Sequence, residues 1–213
     1  MTTRELIEII NDYDVKITFD KPEDVFKGLM QGIATPIFFT PVEGIEREKY
    51  EKRNNKSNFV STSECIHIPE LELSYMVEMF KCTGTNIYDM SLQLIAPHIK
   101  NRVLEEIEFV TFTFLHEVGH WKQFTNMSNL VEKFIKMDEE LQKENFIKQQ
   151  TVLDKRQMRM DKGNNCPLTA KEKKALEQIF QEYRQIPKEK DADNFAFEHI
   201  NIALDKYIAF INS

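Results

Sequence analysis

Apolar positions along the chain switch between helical and extended spacing, and the switches mark out its elements. Leu6, Ile9, Ile10 and Tyr13 in "TRELIEIINDY" recur at helical intervals, whereas Val15, Ile17 and Phe19 in "DVKITFD" alternate on one face as in a strand. "PEDVFKGLMQG" suits a helix opened by Pro22 and acidic residues and closed at Gly32. "TPIFFTP" is a short buried strand between prolines, and "EGIEREKYEKRNNKSN" is a charged, exposed tract. "FVSTSECIHIPEL" is β-branched and alternating, a strand that ends at Pro69. From Ser74 to about Lys100 the spacing is helical, with an interruption near "CTGTN".

Asn101 to Phe124 contains no helix breaker except Gly119, and its apolar residues lie nearly all round, which predicts a central, buried helix. The pattern then turns charged and amphipathic. Leu130, Phe134, Met137 and Leu141 recur at 4, 3, 4 spacing, as on a helix-packing seam. "DKGNNCPL" is a turn. "TAKE" reads as a capping box, Thr169 with Glu172 three residues on, opening a helix through "LEQIFQEYRQ". Residues 126–186 therefore read as a helical hairpin inserted into a single domain spanning 1–213, because two helices alone bury too little to stand apart. A last amphipathic helix, "EKDADNFAFEHINIALDKYIAFI", closes the chain.

Composition narrows the class. The proportions of apolar (41%) and charged (30%) residues are those of a soluble globular chain. No apolar run reaches the 18 or so residues that span a bilayer, and the first residues lack a signal peptide's apolar core. A net charge of −7 disfavours nucleic acid as a partner, and "LDKRQMRMDK" reads as a solvated helix face. No phosphate-binding glycine loop is present. Cys65, Cys82 and Cys166 form no C-x-x-C pair and read as reduced thiols of a cytoplasmic protein.

The candidate chemistry lies in "TFTFLHEVGHWKQF". On a helix His116 and His120 stand one turn apart on one face, so both imidazoles can approach one ion. Zn²⁺ suits imidazole, and a catalytic zinc takes three protein ligands and keeps a fourth position for water. Glu117, about 100° round the helix, sits beside that position as a general base. A chance H-E-x-x-H arises in roughly one chain in a hundred of this size, so the third ligand decides. A metzincin extension fails, with Gln123 and Asn126 where Gly and His are required. His199 is the only downstream histidine and lies in an apolar helical stretch. "EKDADNFA" is the better source: Glu189 and Asp193 share a helix face, Glu189 completing a His–His–Glu set and Asp193 accepting the N–H of a ligand histidine. Asp191 points away to solvent, although sequence alone leaves open either aspartate as the ligand.

"LHEVGHW" together with "EKDADNFAFEHI" resembles the ImmA/IrrE family of gluzincin-like metallopeptidases, matching its second pattern at Glu189, Ala192, Asp193, Phe195 and Ala196. The resemblance implies an α+β, zincin-like fold, mostly helical with a small sheet, and the hairpin read above is an insertion that the resemblance does not cover. It implies one zinc per chain on His116, His120 and Glu189, with Glu117 as base and Asp193 behind the histidine. "ECIHIPEL" falls where the family places the edge strand lining its substrate cleft. The expected activity is hydrolysis of a peptide bond in a specific cytosolic, regulatory protein. No leucine-rich run ending in Met-Pro follows "FAFEHI", and no helix-turn-helix module is visible. The competing expectation is a regulatory binding protein on the same scaffold, acting through the hairpin on a protein partner. A purely structural zinc fits a Glu ligand and an open position poorly. For the oxyanion, His67, Tyr183 and Tyr207 are candidate donors, though His67 reads first as an ordinary strand histidine. Cys65 and Cys166 read as inert, and Trp121 and the Met-rich "MRMDK" as packing.

Overall fold

A computed structural model describes residues 1–21, 37–52, 59–82, 87–160 and 168–213. The helix expected from Pro22 to Gly32 lies outside the described residues, as do nearly all of "CTGTN" and "DKGNNCPL", Cys166 included. The described part is mostly helical with a small sheet, an α+β arrangement.

Helix α1 (Thr3–Ile10) opens with a capping box: the Thr2 hydroxyl accepts the Glu5 amide, and the Glu5 carboxylate accepts the Thr2 amide at 2.7 Å. Its face of Leu6, Ile7 and Ile10 is buried. Strands β1 (Ile17–Asp20), β2 (Phe38–Thr40) and β3 (Cys65–Pro69) form a three-stranded sheet in the order β1-β3-β2. β1 runs parallel to β3 and β2 antiparallel to it. The period-2 alternation then sorts the faces: Ile66, Ile68, Ile17, Phe19 and Phe39 join the main core, leaving Cys65 and His67 on the other side of β3.

The strand "ECIHIPEL" is thus central in the sheet, and the edge strand beside the candidate site is β2. Strand neighbours are set by non-local pairing, which local alternation does not encode. Helix α2 (Gly44–Lys52) has no buried residue, as its charge foretold, although Tyr50 rests against an apolar cluster. Helices α3 (Leu73–Cys82) and α4 (Ile87–Ile95), followed by a 3₁₀ turn at Ala96–His98, pack on the core through Met76, Tyr88 and Ile95.

Helix α5 (Glu105–Asn126) is the axis of the molecule, buried from Ile107 to His120. Acidic residues fill its first turn, where they favour the helix dipole, and buried Glu108 is held by Arg102 (2.7 Å) and the Val103 amide (3.0 Å). Helix α9 (Pro187–Ile211), the last of the chain, runs along α5 more extensively than any other element.

Between them the chain departs from its apolar pattern. The seam from Leu130 to Leu141 is not one helix. Ser128 and Asn129 adopt left-handed backbone (φ 58° and 56°) and reverse the chain into the short α6 (Val131–Ile135). There Val131 and Phe134 bury against Val42, Phe59 and Phe124 in a second apolar cluster. Asp138, again left-handed, separates α6 from α7 (Glu139–Met160), and Leu141 is 47% exposed. Phe134 thus serves the body of the protein and not a hairpin seam. The paired arms are α7 and α8 (Ala170–Arg184), joined by Asn145 to the Ile179 carbonyl (2.9 Å), Lys148 to Glu182 (3.0 Å) and Arg159 to Glu172. The capping box of Thr169 and Glu172 opens α8, and Pro187 opens α9 at a position whose amide would be orphaned anyway. Met158 is exposed rather than packed. Among the described residues no helix is long and apolar enough to cross a membrane.

Candidate metal centre

The centre is made where α5 and α9 touch. A Cβ on Gly119 would lie 2.8 Å from the Ala192 Cα, closer than real Cβ atoms come, so only glycine lets the two backbones approach this far. That approach sets His116 and His120 of α5 opposite Glu189 and Asp193 of α9. The imidazole centroids of His116 and His120 are 4.6 Å apart. Glu189 Oε2 lies 3.3 Å from His116 Nε2 and 3.4 Å from His120 Nε2. All three residues are buried.

Glu189 Oε2 is buried and accepts no hydrogen bond, while its other oxygen accepts one from Gln142 Nε2 at 2.9 Å. An orphaned carboxylate oxygen facing two ring nitrogens is costly unless something binds all three. Ligands at about 2.0–2.1 Å from a tetrahedral ion are separated by about 3.3–3.4 Å, which the two measured edges match. The donor set and its spacing therefore fit a metal ion.

The surrounding residues fix the ligands. His116 Nδ1 is 2.9 Å from Asp193 Oδ1, which also accepts Arg184 Nη1 at 2.7 Å, so Nδ1–H donates to the carboxylate and Nε2 turns its lone pair to the centre. His120 Nδ1 donates to Gln123 Oε1 (2.9 Å), and Gln123 Nε2 is tied to the Lys188 carbonyl at 2.8 Å. Asp138 accepts the Lys188 amide at 2.8 Å, capping an α9 N-terminus whose own preceding residue offers no side-chain cap. Asp191 is exposed.

Glu117 Oε2 accepts the Phe39 amide of β2 at 2.7 Å. Glu117, Glu189, His120, Tyr183 and Lys188 line one cavity of about 200 Å³, with Phe38, Phe39 and Phe134 as its apolar wall.

Burial is the strongest influence on Glu189 and would raise it, yet the two histidines together hold its carboxyl far below the usual range. Burial likewise works to lower His116, but Asp193 and Glu189 outweigh it and push the ring up to about 9. The Tyr183 phenol is pushed well above its ordinary value by burial and by the charges of Glu189 and Glu117, so it stays a donor. Burial lowers Lys188.

Other sequence candidates lie elsewhere. Tyr207 belongs to the main core, and His199 Nδ1 donates to the Phe195 carbonyl (2.8 Å) under a stacked Phe195 ring, so neither joins the cavity. Trp121 is partly buried against the core. His67 meets Asp20, Glu43 and Cys65 on the outer sheet face. The Cys65 thiol is pushed up to about 12, chiefly by burial, and is no nucleophile in that state.

Sequence reasoning did not find Gln123, Gln142, Arg184 or Lys188. Gln123 alone carried a local signal, standing three residues after His120 on the same helix face. Comparison with protein-family models, curated proteins and solved structures returns no match for the chain.

Proposed function

We propose that the protein is a zinc-dependent metallopeptidase of zincin-like fold, of the ImmA/IrrE type that its motifs resemble, acting on a specific cytoplasmic protein. The observation that carries the reading is the convergence of His116 Nε2, His120 Nε2 and the orphaned Glu189 Oε2 beside a cavity that also holds Glu117. When bound by those three residues, zinc supplies a Lewis acid and brings the pKa of a coordinated water towards ~7.

The protein's own groups do the rest. The Phe39 amide holds one oxygen of Glu117, orienting the carboxylate to take a proton from the attacking water and deliver it to the leaving amine. Tyr183, kept protonated, and Lys188 line the same cavity and are placed to donate to the carbonyl oxygen as charge develops. Among the described residues strand β2 is an edge strand at the cavity wall, where an extended polypeptide can add as a further strand. This geometry favours Tyr183 as the donor over His67 and Tyr207.

A second reading, a binding protein acting through the hairpin, draws on exposed Leu141, Phe146, Ile147 and Met158 along α7. One experiment separates the two. Zinc per chain and cleavage of a proteome-derived peptide library are measured for wild type, Glu189→Ala and Glu117→Gln. The peptidase reading expects site zinc in wild type and Glu117→Gln, its loss in Glu189→Ala, and cleavage by wild type alone. Wild type that holds zinc yet cleaves nothing, with a cellular effect that survives Glu117→Gln, would instead identify a binder.

A further inference from the structure

A second set of metal-binding side chains lies on the outer face of the sheet. Cys65 and His67 are two residues apart on β3 and so project to the same side, away from the core that Ile66 and Ile68 enter. Glu43, just before α2, reaches over them. The three side chains converge, with both carboxylate oxygens of Glu43 taking part: Sγ to Glu43 Oε2 3.2 Å, Sγ to His67 Nε2 3.3 Å, and His67 Nε2 to Glu43 Oε1 3.4 Å. Behind the imidazole, Asp20 holds Nδ1 with both oxygens at 3.0 and 3.1 Å, and the Phe38 ring stacks on it at 4.8 Å. Those contacts fix the tautomer that leaves Nε2 free to face the cluster, the arrangement in which a ligand histidine is held.

We propose that Glu43, Cys65 and His67 form a second divalent-metal site, of zinc type, independent of the centre between α5 and α9. The donor set selects the ion class. Thiolate with imidazole suits zinc and not magnesium or calcium, which take oxygen ligands. On binding, the Cys65 thiol loses its proton to solvent and the sulfur–metal bond forms in its place. Thiolate and carboxylate then neutralise the dication, while Asp20 holds the His67 ring and the Lys16 ammonium lies 2.9 Å from Glu43 Oε2. The sulfur is fully buried, but the Glu43 side chain is 27% exposed and leaves an approach for the ion and for water as fourth ligand.

The same Cys–His–Asp line also has the order of a nucleophilic triad. The complete burial of Cys65 denies an acyl group any approach, so the metal reading is the one the geometry favours.

The two centres differ in one readable way, since only this one contains sulfur. Full-length Glu189→Ala protein, which lacks a ligand of the first centre, is titrated with Co²⁺ and followed by its thiolate-to-cobalt charge-transfer absorption. The band should appear at about one equivalent. It should vanish in Cys65→Ser, persist in Cys82→Ser and Cys166→Ser, and require at least roughly tenfold more Co²⁺ in Glu43→Gln. Glu43→Gln alters a part-exposed side chain and decides the matter if Cys65→Ser does not fold. Absence of the band, or a band indifferent to Glu43→Gln and Cys65→Ser, would overturn the second site while leaving the first untouched.

Discussion

At the scale of single residues, the centre between α5 and α9 shows what helical periodicity can and cannot convey. His116 with His120, and Glu189 with Asp193, are pairs at i and i+4, so each pair's common face was legible in the sequence. That the two faces meet was read from their complementary donors and from the resemblance, and the structure brings His116, His120 and Glu189 to one point with Asp193 behind His116. Gln142 and Arg184 come from the hairpin, and no local spacing announces which side chain a distant helix will contribute. The same residues set a pH dependence. In the metal-free protein His116 takes its proton with a pKa of about 9, above the ordinary 6.5. Its protonated form therefore stabilises the metal-free fold fully below about 6.5, and that contribution is lost as pH rises through 9. A metal needs the same Nε2 unprotonated, so zinc must expel the proton below about 9. Zinc titration calorimetry of Cys65→Ser protein at pH 7.5, in buffers of different ionisation enthalpy, should show about one proton released by His116 beyond that of the zinc-bound water, a share that falls towards none above pH 9. Asp193→Asn, which removes the carboxylate holding that proton, should reduce the release at pH 7.5. An unchanged count in the variant would mean that the proton comes from another group.

At the scale of elements, the buried α5 and the capped α8 followed from their patterns because the signals are local: an apolar surface all round in one, Thr169 with Glu172 in the other. The seam from Leu130 to Leu141 misled because its 4, 3, 4 spacing is real but serves two packings. Phe134 turns into the cluster with Phe59 and Phe124, and Asp138 then breaks the helix. The element contact that matters most for the site is Gly119 against Ala192. Gly119→Ala should force the α5 and α9 backbones apart, at a cost of about 1–3 kcal/mol for overpacking. Glu189 and Asp193 sit on either side of Ala192 and would retreat from the histidines. The expected result is a protein that still folds, with a lower melting temperature and zinc affinity reduced by tenfold or more on the scale of ~10–100-fold losses seen when ligand support is disturbed. If Gly119→Ala melted lower but kept wild-type zinc affinity, the close approach would be a packing feature with no bearing on the centre.

At the scale of the whole molecule, the α+β class, mostly helical with a small sheet, was legible, but the arrangement of the sheet was not. β3 is central because it pairs with β1 and β2 at once, and both pairings join segments far apart in sequence. The edge position passes to β2, whose Phe39 amide holds Glu117, so the sheet is tied to the centre by that hydrogen bond and by the packing of Phe39 on Phe134. The centre in turn ties α5, α9 and the hairpin, since Glu189 accepts from Gln142 and His116 shares Asp193 with Arg184. A metal bound there should therefore stabilise the molecule globally, and by an amount that mass action sets. At a free zinc concentration a thousand times the dissociation constant, binding to the native state alone contributes about 4 kcal/mol. For a chain of this size each kcal/mol moves the melting temperature by roughly 2–4 °C, which gives a rise of roughly 8–16 °C. The measurement is differential scanning calorimetry of chelator-stripped and zinc-loaded protein, with Glu189→Ala alongside. Because the sheet site is intact in both chains, its contribution cancels in the difference between them. Wild type should gain the larger shift, and Glu117→Gln, which keeps every ligand, should gain as much as wild type. Equal shifts in wild type and Glu189→Ala would mean that the stabilising ion sits elsewhere, and the orphaned Glu189 oxygen would then need another explanation.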